Sequence, residues 1–142
     1  MPASPAARTS SIPGAAAYNA SKFAVVTLSE GLYHDLALRQ ARIKVSVLCP
    51  GWVKTRIAES ERHRSPQERG GPAKLDAVGA KVGAAIKDAV EHGMAPDQVA
   101  ERVFAAIAAD QFYILTHEES LAAIRIRMED ILQNRQPTLL RI

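Results

Sequence analysis

One junction constrains this chain more than any other feature. A long helical pattern passes through a short turn into Ile43-Lys44-Val45-Ser46-Val47-Leu48-Cys49, a β-branched apolar run that Pro50-Gly51 stops. Upstream of the turn, Phe23, Val26, Leu28, Leu32 and Leu36 recur at helical spacing among small alanines, which predicts a helix from about Ala16 to Arg39. The run that follows reads as a buried strand ending at a loop, since proline brings no N–H to a ladder and glycine favours turns. Helix, short turn and strand make half of a βαβ unit.

The rest of the chain repeats that alternation. Between Trp52 and Gly93 the pattern weakens around Pro66, Gly70-Gly71-Pro72 and a mixed-charge stretch, and an Ala-rich helix is expected from about Leu75 to Glu91. Within it, Gly79-Ala80-Lys81-Val82-Gly83 has small residues one turn apart, and close packing on a neighbour is expected there. Pro96 suits the first turn of another helix, Asp97 suits its dipole, and Val99, Val103, Phe104 and Ile107 give it an apolar face ending near Asp110. Gln111 to Thr116 reads as a second strand, and Ser120 to Asn134 as a last amphipathic helix before Pro137. The expected fold class is therefore α/β, layered on a parallel sheet, yet only two good strands are legible.

Composition narrows the function classes. The 142 residues fit one domain, 1–142. Eighteen Lys plus Arg against 15 Asp plus Glu leave a formal charge of +3, too small and too dispersed to argue for nucleic acid. Cys49 is the only cysteine, so it reads as a small buried hydrophobe, with no intrachain disulfide or thiolate zinc cluster. His34, His63, His92 and His117 lack ligand spacing, and no metal is expected. Without a signal-peptide pattern at Met1-Pro2-Ala3 or an apolar run of ~18 residues, the expected setting is cytoplasmic and away from membranes.

The sharpest chemistry lies at the start of the first helix, in Tyr18-Asn19-Ala20-Ser21-Lys22. Four residues apart, Tyr18 and Lys22 share one helix face, where an ammonium favours a phenolate electrostatically. Such a pair suits general acid/base work on an alcohol or carbonyl oxygen. The surrounding stretch from Ser10 to Leu32, SSIPGAAAYNASKFAVVTLSEGL, resembles the catalytic helix of the short-chain dehydrogenase/reductase family, with its Tyr-x-x-x-Lys signature and the Ser before the Lys. Val45 to Thr55, VSVLCPGWVKT, resembles that family's strand-Pro-Gly-x-Val-x-Thr segment, and Pro96 to His117 is similar to its closing helix and strand.

The resemblance implies an NAD(P)-dependent oxidoreductase with a partial Rossmann-like, doubly wound fold, acting on a small secondary alcohol or ketone. It implies Tyr18 as proton donor or acceptor, Lys22 as its electrostatic partner and ligand of the nicotinamide ribose, and Pro50, Gly51, Val53 and Thr55 along a nicotinamide of NAD or NADP. Trp52 with the segment to Gly93 would form the substrate wall and lid. The chain would then divide into a catalytic part, 1–55, a lid, 56–95, and a closing helix-strand-helix, 96–142.

Two departures accompany it. The family's serine falls about 13 residues before the tyrosine, where this chain has Pro5, so Ser4 is the nearest candidate. The glycines at 14, 31, 51, 70, 71, 79, 83 and 93 give no Gly-rich turn after a strand, the motif that seats a pyrophosphate on a helix N-terminus. The resemblance is thus to the C-terminal half of such an enzyme, expected to be inactive as an isolated chain. In the family the helix of residues 16–39 commonly packs against its copy in a neighbouring subunit. An alternative follows, in which a non-catalytic fragment serves oligomerisation or partner binding through the outer face of that helix.

Overall fold

The computed structural model describes residues 16–57, 65 and 76–139. Six elements follow one another among them: α1 (Ala16–Leu38), β1 (Val47–Cys49), α2 (Ala77–Glu91), α3 (Pro96–Ala108), β2 (Tyr113–Leu115) and α4 (Glu119–Leu132). The two strands pair in parallel, with Val47 opposite Tyr113, Leu48 opposite Ile114 and Cys49 opposite Leu115. Parallel pairing requires a crossover, and α2 and α3 supply it. The layered α/β arrangement and the two legible strands are as expected, but each strand is shorter than its apolar run. Residues 43–46 and 111–112 lie outside the strands, because a strand extends only as far as a neighbour offers hydrogen bonds.

Local chemistry explains the helix boundaries. Asp76 caps α2 by accepting the Gly79 N–H at 2.7 Å, which moves the helix start from the expected Leu75 to Ala77. Pro96 occupies the first turn of α3, and the Gln98 amide oxygen accepts the Ala95 N–H at 3.3 Å. Three helices end in one manner. Gln40, Asp110 and Asn134 take φ of 53°, 54° and 52°, and the next residue donates back across the last turn, Ala41 to Leu36, Gln111 to Ala106 and Arg135 to Asp130, at 2.8–3.0 Å. These are Schellman closures. They end α1 at Leu38, α3 at Ala108 and α4 at Leu132 rather than at the expected Arg39, Asp110 and Asn134.

Among the described residues the buried apolar side chains are few and mostly small: Val47, Cys49, Ala89, Val90, Val99, Ala106, Ile114 and Ala123. Cys49, the last residue of β1, is buried, as a small hydrophobe should be. Close packing at the Gly79–Gly83 pair does not hold at Gly83, where a Cβ would meet nothing within 4 Å among the described residues. On α1 only Asn19 is buried, while Val25, Leu28 and Leu32 stand in solvent. No helix among the described residues is long and apolar enough to cross a membrane.

Candidate functional site

In an open parallel sheet, ligands sit in the crevice outside the carboxyl ends of the strands. Here the loops leaving those ends are Pro50–Thr55 after β1 and Thr116–His117 after β2, side by side through the strand register. Both ends carry chemistry.

The direction of α1 follows from its contacts with the opposite edge. The Tyr113 hydroxyl, at the start of β2, donates to Glu30 at 2.6 Å, and Phe112 packs edge-to-face on Tyr33 with centroids 5.2 Å apart. The C-terminal half of α1 therefore lies at the amino ends of the strands. Tyr18 precedes Glu30 by 12 residues, or about 18 Å of helix at ~1.5 Å per residue. Because α1 returns to the start of β1 through the 39–46 connection, its first turns project toward the carboxyl ends. There the Lys22 ammonium lies 5.1 Å from the Tyr18 ring centroid, and the Tyr18 side is open, 38% exposed. The Ser21 hydroxyl donates to the Tyr18 carbonyl at 2.7 Å and is thereby turned back onto its own helix.

The loop after β1 is held from two sides. From below, the Met94 N–H donates to the Trp52 carbonyl at 2.8 Å and the Lys54 N–H to the Met94 carbonyl at 2.9 Å, a short parallel bridge between Val53 and Met94. Gly93 permits this approach, since a Cβ there would stand 2.7 Å from the Trp52 carbonyl carbon and oxygen. From the side, the Gly51 N–H donates to the Thr116 hydroxyl at 3.0 Å, and that hydroxyl meets His117 Nδ1 at 2.8 Å. The Arg102 guanidinium, reaching over from α3, donates to the Thr116 carbonyl. Burial holds the His117 imidazole below its ordinary value; Glu119 pulls it up, Arg102 pushes it down and backbone hydrogen bonding at Trp52 raises it. Trp52 is half-buried, and its indole N–H has no hydrogen-bond partner among the described residues.

The structure thus brings Tyr18 and Lys22 together on one face, and gathers Pro50, Gly51, Trp52 and Val53 into one clamped turn with Thr55 exposed at its end. Ser4 lies outside the described residues, as do residues 58–64 and 66–75 of the expected lid, whose later part is α2. Sequence reasoning missed Gly93, Met94, Thr116 and His117. Gly93 directly after a helix is a signal that could have been read, whereas Thr116 serves a residue 65 positions away.

Residues 3–66 match the short chain dehydrogenase family. The chain is 34% identical over 127 residues to a CLA biosynthesis dehydrogenase/reductase of Lactiplantibacillus plantarum, covering 88% of this chain and 44% of that protein. It is 29% identical over 118 residues to a 1-deoxy-11-beta-hydroxypentalenate dehydrogenase of Streptomyces exfoliatus, covering 83% and 34%. Among solved structures, a short chain dehydrogenase/reductase from Burkholderia phymatum in complex with NAD matches with a TM-score of 0.85 at 40% identity, over 99% of this chain and 50% of that one. The chain spans less than half the length of these curated relatives.

Proposed function

The chain belongs to the short-chain dehydrogenase/reductase family and has part of its Rossmann-like fold, and from that premise we propose that it carries the proton-transfer and nicotinamide end of an NAD- or NADP-dependent oxidoreductase for a small secondary alcohol or ketone. The observation that carries this reading is the placement of Tyr18 and Lys22, paired on an exposed helix face that projects toward the carboxyl ends of a parallel pair. A nicotinamide suits the loop after β1. Gly51 allows a close backbone approach, and the buried Trp52 N–H, without a partner among the described residues, is a donor that a polar group entering the crevice could satisfy.

Within this reading each residue has a task. The Tyr18 hydroxyl gives a proton to the substrate oxygen in reduction and takes one in oxidation. The Lys22 ammonium stabilises negative charge developing on the phenol oxygen and binds the nicotinamide ribose. Pro50, Gly51, Val53 and Thr55 line the nicotinamide, Trp52 and residues 56–95 wall the substrate, and Ser4 orients its oxygen. When bound, the nicotinamide supplies the hydride chemistry. Because the sequence holds no Gly-rich turn after a strand to seat a pyrophosphate, the isolated chain is expected to turn over poorly.

The test is a titration of the 142-residue chain with NADH and NADPH, following Trp52 emission. Saturable binding at micromolar cofactor rejects the non-catalytic fragment reading, and no binding up to millimolar cofactor rejects the chain as an enzyme acting alone. A second reading, favoured by the exposure of Val25, Leu28 and Leu32 on α1, makes the same helix a surface for a second copy of the chain.

A further inference from the structure

The Thr116 side chain occupies an unusual position, fully buried at 0% exposure yet polar, at the carboxyl end of β2. Its hydroxyl has one proton to give and two lone pairs to receive with. The Gly51 N–H fills one lone pair at 3.0 Å, and His117 Nδ1 stands at 2.8 Å in position for the proton. Burial keeps the imidazole neutral near pH 7, so Nδ1 can accept. The hydrogen bonds then run in one direction, from the Gly51 amide to the Thr116 hydroxyl to the His117 ring. Arg102 fixes the Thr116 backbone by donating to its carbonyl. The groups facing His117 are Arg102 from α3, Glu119 from α4 and the Trp52 backbone.

We propose that Thr116 is a positioning residue for the cofactor loop, its hydroxyl holding the Gly51 amide, with His117 accepting the hydroxyl proton, so that the Pro50–Val53 turn is already shaped for a nicotinamide. The inference deepens the cofactor reading and rests on it. A turn fixed by hydrogen bonds before binding spares the ordering that binding would otherwise require. Loss of the hydroxyl leaves the Gly51 N–H without its acceptor and lets the turn relax, which weakens cofactor binding without touching Tyr18 or Lys22. Protonation of His117 removes the acceptor and disturbs the same chain from its other end.

The test compares the wild-type chain with Thr116→Val, which keeps the shape and removes the hydroxyl, and Thr116→Ser, which keeps the hydroxyl. Amide exchange of Gly51 is expected to quicken about tenfold in the valine variant, the weight of one hydrogen bond, and to be restored in the serine variant, with Ile114 unchanged as a fold control. NADH affinity should fall about tenfold in the valine variant, return with serine, and in the wild type decline only at a pH below the ordinary imidazole range, because burial holds His117 down; the valine variant should lose that pH dependence. Should the valine variant not fold, the nitrogen shifts of His117 in the wild type decide: an unprotonated Nδ1 supports the relay and a protonated one overturns it. Equal NADH binding by the wild type and a folded valine variant overturns the positioning role alone. Failure of the wild type to bind NADH while Gly51 stays protected overturns the cofactor reading, and with it the nicotinamide part of this inference.

Discussion

At the scale of single residues, Tyr18 and Gly93 matter for opposite reasons. Tyr18 is open to solvent with the Lys22 ammonium 5.1 Å from its ring centre, so its replacement removes chemistry and little packing. In a preparation that turns over, Tyr18→Phe is expected to lower kcat by about 10²–10⁴ with KM nearly unchanged, the range for positioned proton transfer. Survival of turnover to within a few-fold would remove Tyr18 from the acid/base role. Gly93 does its work through what it lacks. Ala at that position would put a Cβ 2.7 Å from the Trp52 backbone, which forces the Val53–Met94 bridge apart. Gly93→Ala should cost about 1–3 kcal/mol, as overpacking does, read as a lower urea midpoint at constant m together with a shift in Trp52 emission. Neither effect depends on the other, since the first residue sits on α1 and the second beneath the loop.

At the scale of elements, the docking of α1 depends on a small polar and aromatic patch. Glu30 accepts the Tyr113 hydroxyl, and Tyr33, Phe112 and Tyr113 meet edge to face, with centroids 5.2 and 4.7 Å apart. The Glu30 carboxylate accepting its proton is the main reason the Tyr113 phenol is pushed up to about 12, with burial and the Glu30 charge adding to it. A raised folded value means that the contact stabilises fully below the ordinary tyrosine value of ~10, and that its contribution fades as pH climbs through about 12. Thermal melts between those pH values should show this loss in the wild type and a shallower slope in Tyr113→Phe. At neutral pH the same variant should lose about 0.5–1 kcal/mol, one exposed hydrogen bond. A wild-type slope identical to that of the phenylalanine variant would show that the contact contributes nothing in solution.

Helix ends belong to this scale too. The interiors of all four helices were legible from apolar spacing, proline and the small residues between, but three of the ends were not. Glycine is the usual sign of a left-handed closing residue, whereas α1, α3 and α4 close on Gln40, Asp110 and Asn134. Of these, only Asn134 and Asp110 have side chains that favour such a backbone. In the C-terminal tail, Asp130 is buried and receives the Thr138 N–H at 2.8 Å and the Arg135 guanidinium at 3.1 Å. The backbone N–H of Thr138 is the main reason its carboxyl lies below the ordinary value. That anchor joins a backbone N–H to a side chain eight positions away, and the apolar pattern of α4 gave no sign of it.

For the whole molecule, the governing fact is that large apolar side chains outnumber the places to bury them. Leu28, Phe104 and Leu132 are 72%, 73% and 78% exposed, each on a different helix, while the fully buried side chains of greatest volume are Thr116 and Ser120. Parallel sheets are normally covered on both faces, and the two short strands among the described residues offer too little sheet for the four helices described with them. A large exposed apolar patch is one mark of an interface, and that makes α1 worth testing. If the α1 face binds a second copy, Leu28→Lys should shift sedimentation from dimer toward monomer while leaving helicity unchanged, because Leu28 makes little contact within its own chain. A sedimentation coefficient that is the same for both proteins at high concentration rejects α1 as the association surface.

The sequence by itself determined the α/β class, the helix-turn-strand junction, the pairing of Tyr18 with Lys22 and the glycine-bearing turn after the first strand. All of these depend on residues within a few positions of one another, where helical period and turn chemistry speak directly. Tertiary structure decided which ends of the strands lie together, and that Gly93 and Met94 support the loop from beneath. It also placed a buried threonine at the end of β2 on the Gly51 amide. These contacts close across tens of residues, and they depend on strand register and crossover path, which no local pattern encodes.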